Sequence, residues 1–224
     1  MTAKLRRWTG VREEYLGPFQ SLWFALFVIA MGWGITQPLL TVRIVQKGAT
    51  YQQLGVLQSC AAMASILTQV WIGKLSDRLG RRKPLVVAGL LLAVPVVALY
   101  PRAEALLAFG ILYALHNVTY NTYRSMMTAW VSNWAPNSSM GRTHGSFRIA
   151  GSLGWIVASP FLGTLLDKHG FGPTFSIAAV IYAVMAFFIA GMVKEERIEY
   201  TDEKSDELEN AASTPGSVDG VWTM

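Results

Sequence analysis

The sequence predicts an all-α membrane protein with six transmembrane helices, arranged as an inverted repeat of three plus three. Three observations predict it. Apolar residues make up 52% of the 224-residue chain and charged residues only 15%, where an average soluble domain is roughly a quarter charged. The apolar residues fall into six long blocks separated by short polar segments. One loop pattern occurs twice, at equivalent places in the two halves of that series.

The blocks follow in order. Phe19–Val42, Tyr51–Ile72, Pro84–Tyr100, Ile149–Leu166 and Phe171–Val193 carry no charge, and Ala105–Asn133 carries one, Arg124. A helix needs about 20 apolar residues to cross a hydrocarbon core of roughly 30 Å. Ala105–Asn133 is longer than that and predicts a helix that tilts or projects into water. The competing reading is a buried helix of a soluble bundle, but such helices show a polar face and seldom run so far uncharged. The first block is too long for the apolar region of a signal peptide and lacks a small-residue cleavage site, so it is expected to remain as the first span.

Fourteen Lys and Arg fall on one side of the predicted spans and four on the other. Lys4, Arg6, Arg7 and Arg12 precede the first block, and Lys74, Arg78, Arg81, Arg82 and Lys83 fall between the second and third. Positive residues mark the cytoplasmic side, so both termini are expected in the cytoplasm and the protein in the cell membrane. Residues 1–18 then form a cytoplasmic N-terminus and residues 19–193 the six-helix domain. Residues 194–224 form a tail or linker that holds nine of the fourteen acidic residues. Its Ser/Thr/Pro/Gly stretch, Ala212–Gly220, predicts disorder.

Several functions are disfavoured. A single Cys cannot form an intramolecular disulfide. The basic residues are spread over loops and not gathered on one soluble domain, which argues against nucleic acid as a partner. His116, His144, His169 and Cys60 are scattered, so no metal site is expected. The sequence has no Gly-rich phosphate loop with its Lys, which argues against ATP-driven transport by this protein. No Ser–His pairing suits an intramembrane protease. Neither enzymatic activity nor a cofactor is expected.

The repeated pattern is G-x-L-x-D-x-x-G. It spans Gly73, Leu75, Asp77 and Gly80, and again Gly163, Leu165, Asp167 and Gly170. Three predicted spans separate the copies, so the second runs through the membrane in the opposite sense, a construction common in secondary transporters. The first copy continues as Arg81-Arg82-Lys83-Pro84-Leu85. In full, residues 73–85 resemble the signature loop of the major facilitator superfamily. The resemblance covers about residues 19–193 as the N-terminal six-helix half of that fold. It implies that Gly73, Asp77, Arg78, Gly80 and Arg81 belong to a cytoplasmic gate, with Asp77 and Arg81 in its charge network. Gly73 would let helices approach closely. The family's arginine motif early in the fourth span is absent, with Ala108 and Phe109 in that neighbourhood. Its glycine–proline motif in the fifth survives in part, as Ser159, Pro160 and Gly163.

Polar stripes mark the predicted cavity walls, because polar side chains in lipid turn toward the bundle interior. Tyr113, Asn117, Tyr120 and Arg124 share one stripe of the fourth span, flanked by His116 and Tyr123 on one side and Asn121 on the other. Arg148, Ser152, Trp155 and Ser159 share a stripe of the fifth, with Gly151 and Gly154 beside it for close packing. The stretch Arg148-x-x-Gly151-x-x-Gly154-Trp155 resembles the fifth span of sugar–proton symporters. That resemblance implies that Arg148 hydrogen-bonds a sugar and Trp155 stacks on it. Gln58, Ser65 and Gln69 line up on the second span, and Trp33 and Gln37 on the first, where Gly32, Gly34 and Pro38 permit a bend. The candidate substrate-binding residues are therefore Gln37, Gln58, His116, Asn117, Tyr120, Arg124, Arg148 and Trp155. Each Gln has helix–helix hydrogen bonding as its alternative, His116 has packing, and Arg124 has snorkelling to the surface. Trp23 and Trp134 read as interfacial belt residues.

No Asp or Glu lies inside any block, so a proton-coupled carrier would need a carboxylate from elsewhere or His116 itself. Arg124 and Arg148 leave an anionic substrate open beside a sugar. The expected function is that of half of a secondary active transporter, moving a small solute such as a sugar or organic anion by alternating access. The alternatives are half of a drug or metabolite exporter and a truncated, non-transporting scaffold. The expected partners are the solute, the bilayer and a second six-helix half, either a separate polypeptide or a second copy.

Overall fold

The structure, a computed structural model, describes residues 8–193. Lys4, Arg6, Arg7 and the whole acidic tail lie outside the described residues. Within them the long elements are six helices: α1 Leu16–Gln46, α2 Tyr51–Leu79, α3 Lys83–Leu99, α4 Leu106–Ser132, α5 Met140–His169 and α6 Phe171–Met192. Short 3-10 turns occupy Glu13–Tyr15, Tyr100–Arg102 and Asn137–Ser139.

Five of the six helices are long and apolar enough to cross a membrane. The sixth, α4, has the length but carries Tyr113, His116, Asn117, Thr119, Tyr120, Asn121, Thr122 and Arg124. The polarity that dilutes its apolar content is the same stripe that suggests a cavity wall.

Local chemistry sets the ends. The Thr50 hydroxyl accepts from the Gln53 amide at 3.2 Å and the Thr50 amide donates to Gln53 Oε1 at 2.9 Å. This reciprocal box satisfies two amides that the start of α2 would otherwise leave bare. Gly80 ends α2 at φ +59° and Gly170 ends α5 at φ +74°. Both are the last glycine of the repeated motif, and both sit where a Cβ would clash with backbone. Pro84 stands in the first turn of α3, where its missing N–H costs nothing.

Several expectations need correction. Helix α5 begins at Met140, nine residues before its apolar block, so Gly145 and Ser146 are helical. The apolar block marks only part of that helix. Helix α1 runs unbroken through Pro38, and its glycines also serve packing: a Cβ on Gly32 would meet Tyr182 at 3.2 Å. A Cβ on Gly34 would meet Ala158 at 3.2 Å. Gly73 was expected to admit a close helix neighbour, but nothing lies within 4 Å of it among the described residues. Trp134 is buried and stacks on Tyr15 at 5.9 Å instead of facing an interface. Trp23 is half-buried and donates its indole N–H to the Ser146 carbonyl at 2.9 Å, joining α1 to α5.

The principal packing pairs are α1 on α5 and α6, α4 on α2 and α3, and α3 on α6. The core lies among α1, α3, α4 and α6, where Tyr100, Tyr123, Tyr182, Phe109 and Phe175 are fully buried. Helices α2 and α5 are peripheral. Of its 29 residues α2 buries only Ala61, Ser65 and Ser76.

Candidate functional site

A cavity of about 490 Å³ opens between α1, α4 and α5. Its size falls in the range of roughly 300–1,000 Å³ usual for small-molecule sites. Helix α1 brings Leu26, Ile29 and Trp33, α4 brings Tyr120, Tyr123 and Arg124, and α5 brings Phe147, Arg148, Ser152 and Trp155. A second depression beside it, between α2 and α4, is lined by Gln69, Asn121 and Arg124. Arg124 lines both, so the open face runs across α4 from α5 toward α2.

Packing explains how these side chains reach one place. Gly154 of α5 lies against the Phe27 carbonyl and Ala30 of α1, and Gly34 of α1 lies against the Trp155 backbone. With no Cβ on either glycine the two helices approach closely, and Trp155 turns into the cavity. Gly89 of α3 does the same under Tyr123 of α4. Arg124 is eight residues before the end of α4 and Arg148 eight residues after the start of α5. At ~1.5 Å per residue both lie about 12 Å from the ends that the 133–139 connection joins. Arg124 and Arg148 thus stand at equal distances from that connection along their helices, and both line the cavity.

Rings form the floor. Trp33 stacks on Tyr120 with centroids 3.7 Å apart and planes 17° from parallel. The Arg124 guanidinium sits 5.6 Å from the centre of the Tyr120 ring, within cation–π range. Trp155 is 39% exposed and lines the cavity. An arrangement of flat rings and guanidinium forks can hold a small molecule that has a flat face and an acceptor group.

The structure thus gathers four of the eight candidate residues, Tyr120, Arg124, Arg148 and Trp155, around one cavity. The other four are elsewhere. Gln37 donates to the Tyr113 hydroxyl at 3.2 Å, tying α1 to α4. Asn117 turns back on its own helix and donates to the Tyr113 carbonyl at 2.9 Å. His116 is fully buried behind the floor, 4.9 Å from Trp33 and 6.0 Å from Tyr100 and Tyr182 between ring centres. Gln58 is exposed on α2, away from the cavity. Trp33 and Ser152 line the cavity although neither was singled out as a substrate residue. The signal for Ser152 was its place between Arg148 and Trp155 on one stripe. Trp33 gave less, because an indole in an apolar helix reads equally as core.

The gate candidates cluster at the end of α2. Gly73, Asp77 and Arg78 belong to its last two turns, Gly80 caps it, and Arg81 follows. Asp77, Arg78 and Arg81 are exposed. The Gly80 amide donates to the Ser76 and Asp77 carbonyls at 3.0 and 3.3 Å, fixing the turn from which Arg81 departs. Beside it Lys83 donates to the Val193 carbonyl at 2.8 Å, tying the start of α3 to the end of α6.

Known proteins share this sequence pattern. The chain is 26% identical over 196 residues to Sugar efflux transporter A of Escherichia coli K12, covering 84% of its own length and 49% of that protein. It is 28% identical over 190 residues to the class E tetracycline resistance protein of Escherichia coli, covering 83% and 45%. It is 29% identical over 195 residues to the D-galactonate transporter of Escherichia coli O6:H1, covering 80% and 42%. The chain spans about half the length of the curated relatives it matches. The family model of the Major Facilitator Superfamily matches residues 22–222. With apolar helices that suit a multi-pass membrane protein and a sequence that matches over nearly its whole length, the chain belongs to the Major Facilitator Superfamily.

Proposed function

We propose that α1 to α6 form one six-helix half of a secondary transporter that moves a small solute, a sugar or an organic anion, by alternating access. The cavity between α1, α4 and α5 carries this reading, because it joins stacked rings to two guanidiniums on an open face. The packing pairs support a three-plus-three repeat. Exchanging α1 with α4, α2 with α5 and α3 with α6 returns the same set of pairs. The repeated glycine motif ends α2 and α5, which that exchange makes equivalent.

A second six-helix unit completes the site in this reading, whether more of the same polypeptide, a separate one or a second copy. Helices α2 and α5 flank the open face, and Met63, Ile66, Leu67, Trp71, Ile156 and Phe161 on them are exposed. Six-helix halves of such carriers are related by an axis along the membrane normal, with the solute between them. Both termini are cytoplasmic by the positive-inside rule, which brings the Asp77–Arg81 turn to the cytoplasmic face as a gate. The name of one relative, the sugar efflux transporter, favours export as the direction.

Reconstitution into liposomes tests the proposal. Flux of a labelled solute that saturates, and that falls at least tenfold in Trp155→Ala, is the expected result. A protein that inserts, is folded and passes no solute as monomer or oligomer would leave the non-transporting scaffold.

A further inference from the structure

We propose that the solute is an organic anion, a carboxylate on a flat body, and not a neutral sugar. This inference rests on the cavity being the solute site. Arg124 and Arg148 both line it, at equal distances from the connection that joins their helices. No Asp or Glu lines it, and between residues 15 and 193 the acidic residues are Asp77, Glu104 and Asp167, all at helix ends or in turns. Among the described residues neither guanidinium has a carboxylate partner. The Tyr120 ring steadies Arg124 by cation–π contact, which leaves its charge in place.

Cations held within a membrane protein pair with an anion or escape to water. Here the cavity itself has room for that anion. Guanidinium is the side chain best matched to carboxylate, because its planar fork makes two parallel hydrogen bonds. Trp155 lies seven residues beyond Arg148 on the same stripe, about 10 Å along the axis. A ligand that meets both carries its charge at one end and a flat apolar face at the other. A sugar acid presents that face with its C–H groups, and an aromatic acid with its π-face. A sugar without the carboxylate offers these two exposed guanidiniums no charge to pair with.

The test uses matched acid and neutral pairs, D-galactonate against D-galactose and benzoate against benzamide. Binding to the full-length protein in lipid nanodiscs is read by quenching of tryptophan fluorescence. The acid of at least one pair is expected to bind ten or more times tighter than its neutral partner. Which pair shows the preference tells a sugar acid from an aromatic one. Arg124→Gln and Arg148→Gln are each expected to weaken the acid at least tenfold and so to narrow its advantage over the neutral partner. Ser152→Asp places a carboxylate one helical turn from Arg148 and is expected to erase the acid preference while the fold is kept. Helix content and thermal melting, followed for each variant, separate loss of binding from loss of fold. Neutral members that bind as well as the acids in the wild type overturn the anion assignment and leave the cavity as a solute site. An acid preference that survives both Gln variants and Ser152→Asp overturns the role of the arginines. Saturable binding by no member of either pair, in protein that is folded, overturns this inference together with the reading of the cavity on which it rests.

Discussion

Gly154 occupies a point where a side chain has no room. A Cβ there meets the Phe27 carbonyl and lies 2.9 Å from the Ala30 methyl. Gly154→Ala therefore has to part α1 and α5, and overpacking of this kind costs about 1–3 kcal/mol. A lowered melting temperature in detergent checks it. Gly145 is helical too but has nothing within 4 Å, so Gly145→Ala is expected to be neutral or to stabilise by about 0.5–1 kcal/mol. At the cavity, Trp155→Phe is expected to retain more solute binding than Trp155→Ala, because a smaller ring still stacks; fluorescence or flux titrations read the difference. Trp33→Ala removes half of the stacked floor and is expected to weaken binding as much as Trp155→Ala does. The arginine–tryptophan stripe of α5 could be read in the sequence, because helical period alone puts Arg148, Ser152 and Trp155 on one face. The burial of His116 could not. The fourth-span wheel set it beside the stripe, but a wheel has no second helix, and it is Trp33, Tyr100 and Tyr182 from three other elements that enclose it.

The turn from α2 to α3 combines a left-handed glycine with exposed charges. Gly80→Ala keeps the charges but forces an L-residue into φ +59°, at a cost of about 1–2 kcal/mol, and is expected to lower the melting temperature modestly. Asp77→Asn keeps the turn but removes a charge. It is expected to change transport rate and the balance of inward and outward accessibility, with insertion unaffected. Unaltered flux and unaltered cysteine accessibility in that variant would reduce the basic run to a topology signal. Helix positions were legible because a membrane demands long uncharged runs, and all six blocks lie on observed helices. Helix ends were less legible. The polar start of α5, Met140–Arg148, is helical because it packs through Thr143, Ser146 and Phe147, a contact that hydropathy does not see.

The whole molecule shows its open face through α2 and α5. In a pair of copies about a two-fold axis along the membrane normal, α2 of one copy faces α5 of the other. Cys60, the sole cysteine of the sequence, is exposed nine residues into α2. Phe161 is exposed eight residues before the end of α5, so in the proposed topology the two share a depth. Oxidation of the Phe161→Cys protein in membranes is expected to give a disulfide-linked dimer if a second copy completes the carrier. Solute flux by protein that stays uncross-linked assigns that place to a different six-helix unit.

The two guanidiniums of the cavity also have an electrical consequence. Moving one elementary charge across the full membrane voltage changes its free energy by about 2.3 kcal/mol per 100 mV. A carrier that swings Arg124 and Arg148 through part of that field responds to voltage when empty, and a bound monoanion cancels half of the response. An interior-negative potential then holds the empty cavity toward the cytoplasm more strongly than the loaded one. Charge-displacement recordings on supported membranes are expected to show a transient current in the wild type and none in the Arg124→Gln/Arg148→Gln double variant. The carrier would thus sense voltage through the same two charges that select its cargo.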